Sequence, residues 1–293
     1  MVSETLDFNA ITLGEWLALW FETYKKPVLQ WRTVRNIEQM IRLHTPEWLK
    51  ATRLREITVF DIDRALSEIR LGRTRQYARQ TWHNAFTKAE KLAIIPRNVV
   101  SLSEPVKYKK KKGKALTISE QNTFLNSLEG KRVKWIMLFY LYSGARREEV
   151  CMLEWSDIDE ENGVILVRGT KTEDSYRQIV LTNDLRAIIA GQRAQTEKDE
   201  GTKFATKHPE RIFPYSPSYI SQAFKKICGN HKLHNLRHNF ITRCAESGVN
   251  VAVCQQLVGH STPDVTLSIY THVLDEYKRK EALKFSLNPS YNV

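Results

Sequence analysis

At 293 residues, with 42% hydrophobic and 27% charged side chains, the chain is long for one core and comfortable for two. A formal net charge of +12 favours a polyanionic partner, nucleic acid ahead of an acidic membrane face, and no apolar stretch approaches the length needed to span a bilayer, which argues against a membrane protein. The opening MVSETLDFNA lacks the basic-then-apolar order of a secretory leader, and Cys151, Cys228, Cys244 and Cys254 sit in apolar helical surroundings, so buried free thiols in a reducing, cytoplasmic compartment are expected.

Thr12 and Glu15 form a capping-box pattern ahead of Trp16, Leu17, Leu19, Trp20 and Phe21, a first helix with an aromatic face. Thr33 is expected to open a second, turning Val34, Ile37, Met40 and Ile41 inward. Thr58 with Asp61 caps a third over 59–69. Thr74 is expected to begin the fourth and longest, in which Tyr77, Ala78, Thr81, Trp82, Ala85, Phe86, Ala89 and Leu92 recur at helical spacing until Pro96. No strand pattern interrupts these helices, so the N-terminal part reads as a small helical bundle. Its polar faces are rich in cations, among them Arg73, Arg75, Arg79 and Lys88; a solvated helix face and a nucleic-acid face both fit that pattern.

Residues 107–114 read KYKKKKGK. Such a block repels itself and cannot be buried, so it is a linker or an exposed strand end. Lys107, Lys109, Lys110, Lys111, Lys112 and Lys114 can lie along phosphates, releasing counterions, or serve as a mere tether. Thr117 and Glu120 then open a second domain whose first helix holds Phe124, Leu125 and Leu128. Val133 to Leu141 forms a buried second helix, Ser143-Gly144 breaks it, and a helix carrying Arg146, Glu149, Val150 and Leu153 follows. VILVRGTKTEDSYRQIVL reads as two strands flanking a polar turn. Residues 182–193 read as helix, 198–207 as a lysine-rich loop, and 218–227 as a further helix. The architecture is mainly α with one small antiparallel β-sheet.

The densest chemistry lies between Leu233 and Tyr270. Leu236, Phe240, Ile241 and Cys244 form one helical stripe that Gly248 ends, and His234 and Arg237, three residues apart, can converge on one ligand. Val251, Val253, Cys254, Leu257 and Val258 fit a short helix ending at Gly259, just before His260. Pro263 blocks immediate continuation, and a third apolar set, Val265, Leu267 and Ile269, leads up to Tyr270.

HNLRH, then LVGHS, then a tyrosine ten residues past the second histidine resembles the tyrosine recombinase (phage-type integrase) family. Upstream, YSGARREEVCMLEWSDID supplies Gly144, Arg146 and Glu149 in the family's first box, and Lys171 stands in the matching hairpin position. The resemblance covers nearly the whole chain. It implies a helical core-type DNA-binding domain over 1–106, a basic linker over 107–116, and a catalytic domain over 117–293 with a C-terminal helix and tail. It also implies DNA cleavage and rejoining through a 3′-phosphotyrosine. Tyr270 would be the nucleophile, Arg146 and Arg237 the phosphate clamps, His234 the base, His260 a donor to a phosphate oxygen, and Lys171 the acid for the leaving 5′-oxygen. Glu149 would orient Arg146, and His238 would pack behind the site. No metal or other cofactor is needed where cations stabilise the phosphoryl oxygens.

Further implications are double-stranded DNA at attachment or core sites, contacted by Thr74, Arg75 and Arg79, and a tetramer in the synaptic complex. Subunits would exchange a tail bearing Val273, Leu274, Tyr277, Leu283, Phe285 and Leu287. An accessory DNA-bending or excision factor would be an optional further partner. Residues 1–10 are too short for an arm-site-reading domain, which implies a short recombinase or a trimmed chain. Other readings stay open on the residues alone. Cys228, His231, His234 and His238 are close enough in sequence for metal ligands, although Asn235 stands where a zincin glutamate belongs. A DNA-binding regulator without catalysis and a type IB topoisomerase are further alternatives.

Overall fold

The computed structural model describes residues 7–108, 113–168, 177–202, 206–259, 264 and 266–271. The chain separates into two compact units, residues 1–111 and 112–293.

The first unit is built from α1 (Leu13–Tyr24), α2 (Trp31–His44), α3 (Glu47–Ala51), α4 (Val59–Glu68) and α5 (Gly72–Lys91), followed by a 3-10 turn at Val99–Leu102. Reciprocal capping boxes at Thr12/Glu15 and Thr58/Asp61 start α1 and α4, each satisfying backbone donors that the first helical turn leaves unpaired. Trp16, Trp20, Trp82 and Phe86 fill the core. Burying indoles requires partners for their N–H groups, and Trp16 donates to the Ala85 carbonyl at 3.0 Å while Trp82 donates to Thr45 Oγ1 at 3.0 Å.

Two expected helix starts move. Helix α2 begins at Trp31 rather than Thr33, with Gln30 at the N-cap position and no side-chain capping bond to the first turn, and α5 begins at Gly72 rather than Thr74. A preference for hydroxyl caps misplaces both, since neither start carries a side-chain capping bond; at α5 a contact between elements takes its place. Arg75 donates Nε and Nη2 to the Ile69 carbonyl at 3.0 and 2.8 Å, tying the end of α4 to the first turn of α5. The five-residue α3 has too short a pattern to read from sequence.

The second unit surrounds α7 (Lys134–Ser143), whose Ile136, Met137, Phe139 and Tyr140 are almost fully buried. Packed with it are α6 (Ile118–Ser127), α8 (Arg147–Met152), α9 (Asn183–Asp199), α10 (Pro217–Ile227), α11 (His234–Glu246) and α12 (Val251–Val258). Strands β1 (Ile158–Asp159), β2 (Val164–Val167) and β3 (Arg177–Val180) form one antiparallel sheet in that order. Opposite Val167 stands Arg177, and opposite Ile165 stands Ile179, so these four share the inward face. Helix α9 runs past its expected end at Arg193 to Asp199, whose carboxylate, unfavourable at a helix C-terminus, is held in an ion pair by Arg132.

A small apolar cluster of Ile241, Cys244, Ala245, Cys254, Val258 and Tyr270 joins α11, α12 and the helical residues 266–271. Here the expected apolar set is corrected. Leu267 is exposed, whereas Thr266 and Tyr270, four apart, point inward. An every-second-residue pattern does not describe a helix face, which repeats at three and four. Val265 lies outside the described residues, as do 272–293 with the expected C-terminal helix and tail.

Gly144 ends α7 in the left-handed region, φ +59°, and a Cβ there would stand 2.6 Å from the Phe240 ring of α11. Both constraints demand glycine. Gly144→Ala is expected to cost the second unit at least about 1–2 kcal/mol from backbone strain alone, more once Phe240 is displaced; a lowered urea midpoint for that unit is the measurement.

Candidate functional site

The left-handed turn at Gly144 delivers Arg146 as the N-cap of α8, not as a residue within it. Arg146 N donates to Glu149 Oε2 at 2.8 Å, so the same carboxylate caps the helix and holds the guanidinium, which donates Nη1 to Oε1 at 2.7 Å. Arg146 Nη2 donates to the Gly259 carbonyl at 2.6 Å, joining α8 to the end of α12. Glu149 is buried, which favours the neutral acid. The charge of Arg177 and the hydrogen bonds from Arg146 outweigh that effect and hold the carboxyl below its ordinary range.

Arg177 is the member of this group that sequence reading missed. It donates Nη2 to Glu149 Oε2 at 2.7 Å and Nη1 to the Leu257 carbonyl at 2.6 Å. The signal was present, because an arginine two residues before Ile179 in an alternating strand occupies a core-facing position and must find a buried partner.

Arg237, on α11, is 2% exposed. Its Nη1 donates to the Gly144 carbonyl at 2.7 Å, while Nε and Nη2 are buried without a partner. Burial, then the like charges of Arg146 and Arg177, bring its pKa down from 12.5 to about 9. A single hydrogen bond, to the Gly144 carbonyl, does not fully offset that penalty on the charged form. An anion meeting the free N–H edge would do so, by charge and by geometry.

His234 opens α11, with its ring edge-on to His238 at 5.1 Å. Burial of the ring, then His238, Arg237 and Arg146, pulls its pKa down to about 4, so at neutral pH the imidazole is uncharged and one nitrogen can accept a proton. His238 is lowered too, by burial and by Arg237, and its Nδ1 is buried without a partner. The backbone at Gly113 passes against it, leaving 2.4 Å between a Cβ built there and His238 Nε2.

Tyr270 is 5% exposed, and its buried hydroxyl has only the weak sulfur acceptor of Cys254 beside it. It lies beside the Cys254 thiol in the α11–α12 cluster, where burial and then Cys254 and Cys244 push the phenol well above its ordinary range. Arg237 in turn acts on Cys254. The tyrosine is therefore seated behind one thiol from the buried guanidinium, in an environment that opposes ionisation.

Lys171, His260 and Lys109, Lys110, Lys111 and Lys112 lie outside the described residues. Lys107 and Lys114 are exposed and Thr74 is half-buried. Arg79 donates Nε to Ser103 Oγ at 2.9 Å and Nη2 to the carbonyls of Val100 and Ser103 at 2.9 and 3.0 Å. With Arg75 on Ile69, both guanidiniums are engaged within the first unit. Of the alternative metal set, His231 bonds Glu120 and Asn235, each at 3.2 Å, and among the described residues no group of three or more His, Cys, Asp or Glu side chains is placed to hold a metal ion. Nor is any helix among them long and apolar enough to cross a membrane.

Residues 114–277 match the model of the phage integrase family, and residues 12–69 match its N-terminal SAM-like domain. The chain belongs to the phage integrase family. A tyrosine recombinase XerA from Saccharolobus solfataricus is 32% identical over 190 residues, covering 63% of this chain and 61% of that protein. Among solved structures, the Tn1549 transposon integrase in complex with a circular intermediate DNA superposes with a TM-score of 0.78 at 19% identity, covering 94% of this chain and 100% of the other. A lambda integrase tetramer bound to a Holliday junction gives 0.72 at 20% identity, covering 88% and 80%. The phage integrase fold is thereby established: a mainly helical chain with a small antiparallel sheet.

In this integrase-family site the low pKa of His234 has a defined consequence for stability. Between about pH 4 and 6.5 the unfolded chain binds a proton on this residue that the folded chain does not. Its contribution is whole above pH 6.5 and is lost as pH falls toward 4; His238 acts in the same direction. The melting temperature is expected to fall between pH 7 and pH 5, and less steeply in His234→Gln, which cannot titrate.

Proposed function

We propose that the chain is a site-specific DNA recombinase that cleaves and rejoins duplex DNA through a 3′-phosphotyrosine, integrating or excising a mobile element. The observation that carries the reading is Arg237, a buried guanidinium with two unpartnered N–H groups, set beside Arg146 and Arg177. A phosphodiester is the anion whose oxygens such a fork fits.

In the proposed reaction Arg146 and Arg237 hold the non-bridging oxygens of the scissile phosphate, with Glu149 orienting Arg146. The Tyr270 hydroxyl attacks phosphorus in line, and a new Oη–P bond forms as the P–O5′ bond breaks. The phenolic proton passes to neutral His234, whose basicity rises once a phosphate counters the neighbouring cations. Lys171 protonates the departing 5′-oxygen, and His260 donates to a phosphate oxygen. The 5′-hydroxyl of a partner strand reverses the sequence, conserving the energy of the phosphodiester. Because Tyr270 is seated against Cys254, it must leave that seat to react. DNA binding is the event proposed to draw residues 266–271 out.

On this reading the chain divides into a core-type DNA-binding domain over 1–106, a linker over 107–116 and a catalytic domain over 117–293. Lys107, Lys109, Lys110, Lys111, Lys112 and Lys114 run along the phosphate backbone. Thr74 joins them, and so do Arg75 and Arg79 through the donors their internal bonds leave over. The structurally similar lambda integrase, seen as a dimer on a core site, and the Tn1549 integrase, seen on a circular intermediate DNA, support duplex core or attachment sites as the substrate, and the lambda tetramer on a Holliday junction supports four subunits in the synaptic complex. Tail exchange between those subunits, an accessory DNA-bending or excision factor, and a cytoplasmic location complete the proposal. The buried seat of Tyr270 favours a second reading, a regulator that binds DNA without cutting it.

The two separate on one gel. Incubation with nicked duplexes drawn from the DNA flanking the gene is expected to yield a covalent protein–DNA adduct that survives denaturation, persists in EDTA and is abolished in Tyr270→Phe. Salt-sensitive binding with no adduct supports the regulator, and plasmid relaxation without site preference supports a type IB topoisomerase.

A further inference from the structure

Around Glu149 one carboxylate serves two arginines from distant parts of the sequence. Its Oε1 takes Arg146 Nη1 and its Oε2 takes Arg177 Nη2, both at 2.7 Å. Arg177 also reaches the Leu257 carbonyl at 2.6 Å, three residues before His260, and it begins the strand that follows the Lys171 segment. Gly259 is fitted to this arrangement. Its φ is +67°, and a Cβ there would stand 2.5 Å from Arg177 Cδ. The Arg177 side chain is 13% exposed, so surface screening does not dilute the ion pair.

We infer that Arg177 is a positioning residue: it holds Glu149 as a carboxylate in the one orientation that aims Arg146 at the scissile phosphate. This rests on the phosphate-site reading given above. Without Arg177, Glu149 keeps its burial and loses the strongest charge opposing protonation. A protonated Glu149 has one oxygen fewer that accepts fully, and Arg146 is released to the Gly259 carbonyl alone. The charged groups that act on Glu149 are Arg146 at the start of its own helix, Arg177 from β3 and Arg237 from α11. Side chains meeting α8 from α7 and α10 engage other residues, Tyr140 bonding Arg147 and Cys151 and Ser221 accepting from Arg147.

The test compares the intact protein with Arg177→Ala, Arg177→Lys, Glu149→Gln and the Arg177→Ala/Glu149→Gln double variant, using single-turnover cleavage of the nicked duplex across pH 5 to 9. Arg177→Ala is expected to cleave roughly 100-fold more slowly near neutrality, the scale of a catalytic group displaced by about 1 Å, with duplex affinity changed less than about threefold. Its rate is expected to climb with pH as Glu149 deprotonates. This added dependence, beyond any limb set by the His234 base in every variant, should be absent from the intact protein, reduced in Arg177→Lys and missing from the double variant. Independently, carbon-13 titration of DNA-free protein should place the Glu149 carboxyl higher in Arg177→Ala than in the intact chain.

An unchanged rate, or a rate that falls only in proportion to lost folded protein with the pH profile intact, overturns the inference. So does an unmoved Glu149 titration. If the intact protein forms no adduct, the phosphotyrosine reading fails instead, and the titration alone then decides the role of Arg177.

Discussion

A single buried carboxylate, Glu149, makes the rest of the candidate site possible. Three guanidiniums act in one small region, two of them bonded directly to it, and without a counter-charge their mutual repulsion in a water-poor setting would drive them apart. Glu149 compensates part of that charge and leaves the remainder positive. The incomplete cancellation creates a standing preference for an anion, expressed most strongly at Arg237, where two N–H groups are buried with no acceptor. A site that stores unfavourable electrostatics in its unliganded state is stabilised by an anion, which under the proposed function is a phosphate.

The backbone serves the same end. Left-handed glycines terminate α7 and α12, and the carbonyls of these two glycines, Gly144 and Gly259, receive Arg237 and Arg146. The two turns therefore do double service: each stops a helix at a position where a side chain would collide, and each turns a carbonyl toward a guanidinium. This places Arg146 and Arg237 at helix starts and Arg177 at a strand start rather than within loops, which under the proposed function suits orienting an attacking and a leaving oxygen about one phosphorus.

Tyr270 is arranged on the opposite principle. Its hydroxyl is buried beside thiols and held protonated, in a small cluster separate from the main core of the second unit. The seat gives the phenol apolar contacts and only a weak thiol partner, so leaving it forfeits modest packing and little hydrogen bonding. Under the proposed mechanism this keeps the nucleophile unreactive until a phosphate and the cations around it offer a better environment.

Much of this chain was legible in its sequence, for physical reasons that differ from residue to residue. Capping boxes at Thr12, Thr58 and Thr117 are local, needing only residues three apart, and all three form as read. The helical stripe through Leu236, Ile241 and Cys244, the glycine stops and the two-strand hairpin were equally local, and the ordered motifs around Arg146, His234, Arg237 and Tyr270 pointed to the family. What sequence could not determine depends on contacts between distant segments. The start of α5 is tied to the end of α4 through Arg75 rather than by a cap, and the inward face of residues 266–271 is set by the cluster they meet. Arg177, an unremarked strand residue, acquires its place only when β3 lies against α8 and the end of α12. The sequence names the charged groups available; the tertiary structure alone decides which of them share a carboxylate, which is left with unpaired donors, and that the tyrosine rests against a thiol, because burial and long-range electrostatics are properties of the folded arrangement.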